Sequence, residues 1–205
     1  MTSRRALFFI CWVAFIIYAV FLAPDGNEGY LQQLMTMDDP DPLLLTVFSL
    51  LGIYPAAFAV VLLSEDDSRV PAWPFVIGSF MLGAFALIPY FFISSGNSVR
   101  KVRTPRVFLK FLQSIGLKSL LFAGTIALMI YGMIQGSAAL YTQAFQVSQF
   151  VHIMTVDFVV LTLLSIYVIF WRESKQNRSN NRHWLGLIPV IGLLSYILMK
   201  KEEAD

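Results

Sequence analysis

The chain of 205 residues carries a single cysteine and two histidines. Cys11 has no second thiol to meet, which excludes an intramolecular disulfide and a thiolate metal site. His152 and His183 fall near opposite membrane faces if the helix bearing His152 spans, so they cannot share one haem. The sequence also lacks HExxH, GxSxG, Walker and GxGxxG patterns. It therefore points to no catalytic residue, no cofactor and no metal. Charge is sparse as well. Fifteen basic and 13 acidic side chains leave a net +2, too little for a nucleic-acid partner.

Apolar residues are abundant. They make up 57% of the chain, with a mean hydropathy of +0.67, outside the range of soluble globular domains. They form long unbroken runs instead of short alternating segments, which indicates helices and not a barrel. The fold class expected is all-α: an integral membrane helical bundle forming a single transmembrane domain over residues 1–205. Six transmembrane helices are predicted at residues 6–23, 43–63, 73–93, 119–134, 150–171 and 184–199. The fourth and sixth are short for a hydrocarbon core of ~30 Å and should extend by flanking residues. Arg4 and Arg5 precede the first run as in a secretory signal. Phe21 stands where cleavage needs a small residue, so this run is read as a retained helix.

Six crossings would place Arg100, Lys101, Arg103, Arg106, Lys110 and Lys118 on one side with Arg172, Lys175, Arg178 and Arg182. Arg4, Arg5, Arg69, Lys200 and Lys201 would lie opposite. The excess predicts a cytoplasmic (or stromal) face for the third and fifth loops, with both termini outside. Arg4 and Arg5 argue against it, because the first helix often dominates orientation.

The first loop holds Asp38-Asp39-Pro40-Asp41, oxygen ligands of a kind that suits calcium, but without EF-hand spacing or glycine. It is read as a solvated acidic turn, and Glu65-Asp66-Asp67 likewise. Thr104-Pro105 reads as an N-cap and first helical residue. Phe108, Phe111, Leu112 and Ile115 then recur on one face, with Arg106, Lys110 and Gln113 opposite. This predicts a short interfacial amphipathic helix bending at Gly116, with Arg106 and Lys110 towards anionic headgroups of the lipid bilayer.

Of all the charged side chains, Asp157 alone falls inside an apolar run. A carboxyl at that depth costs about 2.5–3.5 kcal/mol on insertion scales and needs a partner or a cavity. Ser148, Thr155 and Thr162 recur along one side of the same run with His152 near their line, while Asp157 points away from them. Polar groups on both sides place this fifth helix at the centre of the bundle, as its most buried member. His152 and Asp157 are roughly 140° apart around a helix, too far for a direct pair. Partners at the right depth are Tyr54, the carbonyl freed by Pro55, Ser79 and Ser195. The candidate functional residues are thus Asp157, His152, Thr155 and Tyr54. Pro55, Pro89 and Pro189 interrupt three runs, and Gly52-x-x-x-Ala56, Ser79-x-x-x-Gly83 and Gly132-x-x-x-Gly136 offer small faces for helix packing.

The segments VPAWPFVIGSFMLGAFALIPYFF (residues 70–92) and VHIMTVDF (residues 151–158) resemble small multipass membrane proteins of unknown function from cyanobacteria and plastids. The resemblance covers residues 42–199. It implies a thylakoid or plastid membrane as an alternative to the plasma membrane, and no mechanism. Three functions remain open. The first is a non-enzymatic assembly or stability factor for a membrane complex, bound to other membrane-protein subunits. The second is a small proton-coupled transporter built as a self-dimer around Asp157. The third is a membrane enzyme acting on a lipid or isoprenoid, with Asp157 and His152 as acid–base groups.

Overall fold

The computed structural model describes residues 3–26, 28–64, 66, 68, 70–94, 104–175 and 181–199. Among these, regular structure is all helical. Four helices are long and apolar enough to cross a membrane: α1 (Ser3–Phe21), α3 (Pro42–Leu62), α7 (Ile115–Gln135) and α9 (Gln149–Lys175). Shorter elements are α2 (Tyr30–Thr36), α4 (Trp73–Leu82), α5 (Ala84–Ile93), α6 (Arg106–Gln113), α8 (Ala138–Val147) and α10 (Ile191–Met199), with a 3-10 segment at Asn181–Leu187.

The starts of the long helices follow from local chemistry. Asp41 caps α3, its Oδ1 accepting the amides of Leu43 and Leu44 at 2.9 and 3.3 Å, with Pro42 in the first turn. Its Oδ2 accepts Ser137 N–H at 3.0 Å, tying this start to the α7–α8 turn. The amide of Gln149 donates to Gly26 O at 2.9 Å at the same end of the bundle. At the other end Arg5 donates to Ser94 O at 3.1 Å, and Thr104 Oγ1 donates to Leu63 O at 2.9 Å. The start of α1, the ends of α3, α5 and α9 and the start of α7 therefore lie together.

The expected helix over residues 73–93 is broken at Gly83, and its halves fold back on each other. The Phe75 and Tyr90 rings stand 5.7 Å apart, and a Cβ on Gly78 would sit 3.2 Å from that of Ala86. In a continuous helix Phe75 and Tyr90 would be about 22 Å apart. The run at 184–199 is not one helix either. His183 packs on Phe170, Gly186 against the Ser165–Ile166 backbone, Val190 on Tyr54, and Tyr196 on Glu173. The chain thus descends along α9, turns at residues 188–190 and returns. Val190 makes that turn with φ +57°, a strained conformation for a β-branched residue.

The two hairpins belong to a repeated plan. A long helix, a short helix, a second long helix and a hairpin occur as α1, α2, α3, α4–α5, then as α7, α8, α9 and the 3-10 segment with α10. Packing repeats with it. α5 lies on α1 as α10 lies on α7, and α4 on α3 as the 3-10 segment lies on α9. The second long helices, α3 and α9, run side by side at the centre, with Tyr54 5.6 Å from Phe158. Of the pair α3 is the more buried, so the fifth run shares the centre but is not the most buried helix.

Three local expectations are also corrected. Thr104 does not cap α6. It is buried and bonded to Leu63 O, and Pro105 holds the cap position. The bend after α6 falls at Ser114, which caps α7 by accepting Leu117 N–H at 3.3 Å, and Gly116 is helical. Asp66 is fully buried, its Oδ2 accepting Ala72 N–H at 3.0 Å at the foot of α4. Glu65 and Asp67, like Arg69, Arg100, Lys101, Arg103, Arg178, Lys200 and Lys201, lie outside the described residues. On α6 itself the Phe108 ring packs at a tilt on Trp73 with centroids 4.7 Å apart and Leu112 is buried, while Val107 and Phe111 face outward and Arg106 and Lys110 are exposed.

These placements separate two topologies by a labelling experiment. In a Cys11→Ser background, Asp38→Cys and Arg106→Cys should react with an impermeant thiol reagent from opposite sides of a sealed membrane. Six full crossings would put both on one side, and labelling of both from the same side would contradict the hairpin fold.

Candidate binding site at the first hairpin

Gly83 sits at the hairpin tip with φ +51° and ψ −128°, a region that side chains with a Cβ rarely enter. A Cβ there would also collide with the Asp157 carboxyl group. Conformation and space both demand glycine. The turn begins α5, whose first amides have no carbonyl to meet within the helix. Asp157 supplies one acceptor, its Oδ1 taking Ala84 N–H at 2.8 Å. The helix dipole adds to this, since the positive end of α5 faces the carboxyl group. Asp157 is 6% exposed, and its Oδ2 accepts no hydrogen bond from any described residue.

Asp157 borders a cavity of about 510 Å³. The walls are the first halves of α3 and α9, including Phe48, Gly52, Phe150 and Met154, and the roof is the hairpin tip from Ser79 to Phe85. Nothing lies within 4 Å of a Cβ built on Gly52, so α3 presents open space there. Phe80, Met81 and Leu82 at the rim are 55, 91 and 60% exposed, an apolar lip of the kind that meets lipid or a ligand.

The other sequence candidates are held elsewhere. Tyr54, expected beside Asp157, is fully buried in the counterpart contact of the other half. Thr162 Oγ1 gives its proton to Phe158 O at 2.8 Å, so the Tyr54 hydroxyl donates to Thr162 at 2.7 Å and accepts Val190 N–H at 3.0 Å. Thus α9 caps the hairpin of the first half and α3 caps that of the second. His152 Nδ1–H donates to Phe145 O at 3.0 Å, leaving Nε2 to accept from Tyr18 Oη at 2.5 Å. Both ring nitrogens are engaged in joining α1, α8 and α9, and the acid–base pair of His152 with Asp157 is not formed. Thr155 gives its proton to Val151 O at 2.7 Å and accepts from Tyr141 Oη at 2.6 Å. Burial pushes the Tyr141 phenol pKa up, with the Thr155 bond opposing it, so this hydroxyl stays a donor.

Ser79 was the expected partner nearest the truth. It lines the cavity, but its Oγ donates to Val76 O at 2.7 Å. Gly83 was visible only as one end of a small-residue face. The stronger signal was a glycine at the middle of an apolar run facing a lone intramembrane carboxyl. Among the described residues no cluster of three or more His, Cys, Asp or Glu could hold a metal ion. Protein-family models, curated proteins and solved structures yield no match to this chain.

Two substitutions test the cap. Gly83→Ala should destabilise the folded protein by about 2 kcal/mol or more, since strain and collision act together. Asp157→Asn keeps an acceptor for Ala84 N–H and should melt in detergent near the wild-type temperature, whereas Asp157→Leu should cost about 1–3 kcal/mol. Equal melting of wild type and Asp157→Leu would show that the contact does not hold the hairpin.

Proposed function

We propose that this chain is a small membrane carrier whose substrate site is the cavity between α3, α9 and the first hairpin. It crosses the bilayer four times, with two re-entrant hairpins in place of the third and sixth spans. The observation that carries the reading is the broken helix at Gly83 with a buried carboxyl spanning its tip and an adjoining cavity. Non-helical backbone at membrane depth is tolerated where protein buries it or where it lines a cavity, and carriers bind solutes at such interrupted helices. Asp157 has one oxygen for the hairpin and one for the solute.

The charge distribution supports the same topology. Arg4, Arg5, Arg106, Lys110, Lys118, Arg172 and Arg182 belong to the end of the bundle where both hairpins open, and the remaining Lys and Arg lie in sequence in segments attached to that end. The segments 22–41 and 136–148, at the opposite end, contain no Lys or Arg, and the first has Asp25, Glu28, Asp38, Asp39 and Asp41. With four crossings the conflict posed by Arg4 and Arg5 disappears. The hairpin end is cytoplasmic, the start of α1 included, in place of the outside termini inferred from six spans. Arg106 and Lys110 on α6 then meet anionic headgroups of the inner leaflet.

A carrier exposes its site to each side in turn. A thiol at Ser49, which borders the cavity, reports this in Cys11→Ser protein reconstituted in vesicles. Ser49→Cys should react with an impermeant reagent added from either side. Reaction from one side alone describes a binding site without a pathway and rules out transport.

A further inference from the structure

We infer that the cavity at Asp157 takes a lipophilic organic cation, an amine or similar cationic head on an apolar body. This rests on the reading of that cavity as the ligand site and adds the chemistry that selects the ligand. No Lys, Arg or His is among the residues that line the cavity, so Asp157 sets the sign of its field. The carboxyl is buried at the edge of the cavity, one oxygen is bound to a neutral amide, and the other has no protein donor among the described residues. A carboxylate enclosed by apolar walls is costly unless it takes up a proton or a charge of opposite sign joins it. A cationic head supplies both the charge and the donor. An alcohol supplies only the donor, and an anion is repelled.

The walls suit the rest of such a molecule. Phe48, Phe80, Phe85 and Phe150 present aromatic rings, whose faces attract cations. Met81 and Met154 add polarizable, adaptable side chains that accept varied shapes. The volume of about 510 Å³ lies within the range of about 300–1,000 Å³ typical of small-molecule sites. The exposed apolar rim lets an amphiphile partition into the bilayer first and reach the carboxyl sideways from it.

Two fluorescent probes with one apolar body separate charge from shape: 1-pyrenylmethylamine, cationic at neutral pH, and 1-pyrenemethanol. Binding is read by fluorescence anisotropy with the full chain in nanodiscs of phosphatidylcholine, against empty discs. The amine should bind saturably and about tenfold or more tighter than the alcohol, the margin of a charge-assisted hydrogen bond. Asp157→Asn should abolish that margin. Gly52→Leu, which fills open space in the cavity and leaves the carboxyl group in place, should weaken both probes. Equal affinity for amine and alcohol in the wild type overturns the cation preference. If Gly52→Leu still weakens both, the cavity stands as a ligand site of other chemistry. Absence of saturable binding by either probe overturns the proposal outright, and the Ser49→Cys labelling then decides separately whether the carrier reading survives. The amine-to-alcohol ratio is read on wild-type protein, so it decides even if Asp157→Asn fails to fold.

Discussion

A backbone amide in hydrocarbon must find an acceptor, because no water is there to accept its proton. A helix meets this need internally except at its ends. The break at Gly83 creates such an end in the middle of the bundle, and Asp157 accepts the amide of Ala84 across it at 2.8 Å. Much else depends on that contact. It fixes the depth of the first hairpin, holds α9 against it, and leaves one carboxyl oxygen without a donor among the described residues. The second hairpin meets the same need with a neutral group, the Tyr54 hydroxyl, which accepts Val190 N–H at 3.0 Å. One chain thus contains two solutions to one constraint. The solution that uses a carboxyl group is the one beside open space.

The repeated plan explains how so small a protein builds an interior. In each half the second long helix reaches across to cap the hairpin of the other half, so α3 and α9 form a central pair tied to both. His152 and Thr155 on α9 serve packing. His152 joins α1 to α8, and Thr155 anchors Tyr141. On α7, Gly132 lets Thr46 approach so closely that a Cβ would collide with it, and Thr46 Oγ1 donates to Leu128 O at 3.0 Å. The polar side-chain atoms of His152, Thr155 and Thr46 all have partners within the protein, which sets them apart from Asp157.

The four long helices were legible in the sequence, because runs of apolar residues long enough to cross a bilayer leave few alternatives. Their ends moved by a few residues where Asp41 and Ser114 cap them. Asp157 was legible for the same reason, as the one charge inside a run. The hairpins were not. A run of apolar residues over 73–93 has the composition of a span whether it crosses or folds back, and hydropathy does not register a reversal. What distinguishes the cases is a glycine at positive φ packed against a carboxyl more than seventy positions away. The crossing number bears on the charges. Six crossings divide the basic residues between two faces, whereas the four proposed here would collect them at one end. The conflict raised by Arg4 and Arg5 is one that four crossings would remove.

The account therefore turns on whether residues 73–93 double back at Gly83. Pulsed electron spin resonance on Pro74→Cys/Ile93→Cys protein, spin-labelled in a Cys11→Ser background, measures this directly. Both positions are exposed and lie at the open end of the hairpin. Two packed antiparallel helices place their backbones about 10 Å apart, whereas one continuous helix would separate them by about 28 Å. A narrow distribution at the short distance, set slightly wider by the label arms, is the expected result. A distribution centred near the long distance would mean a straight span, with no broken tip for Asp157 to cap and no cavity beneath it.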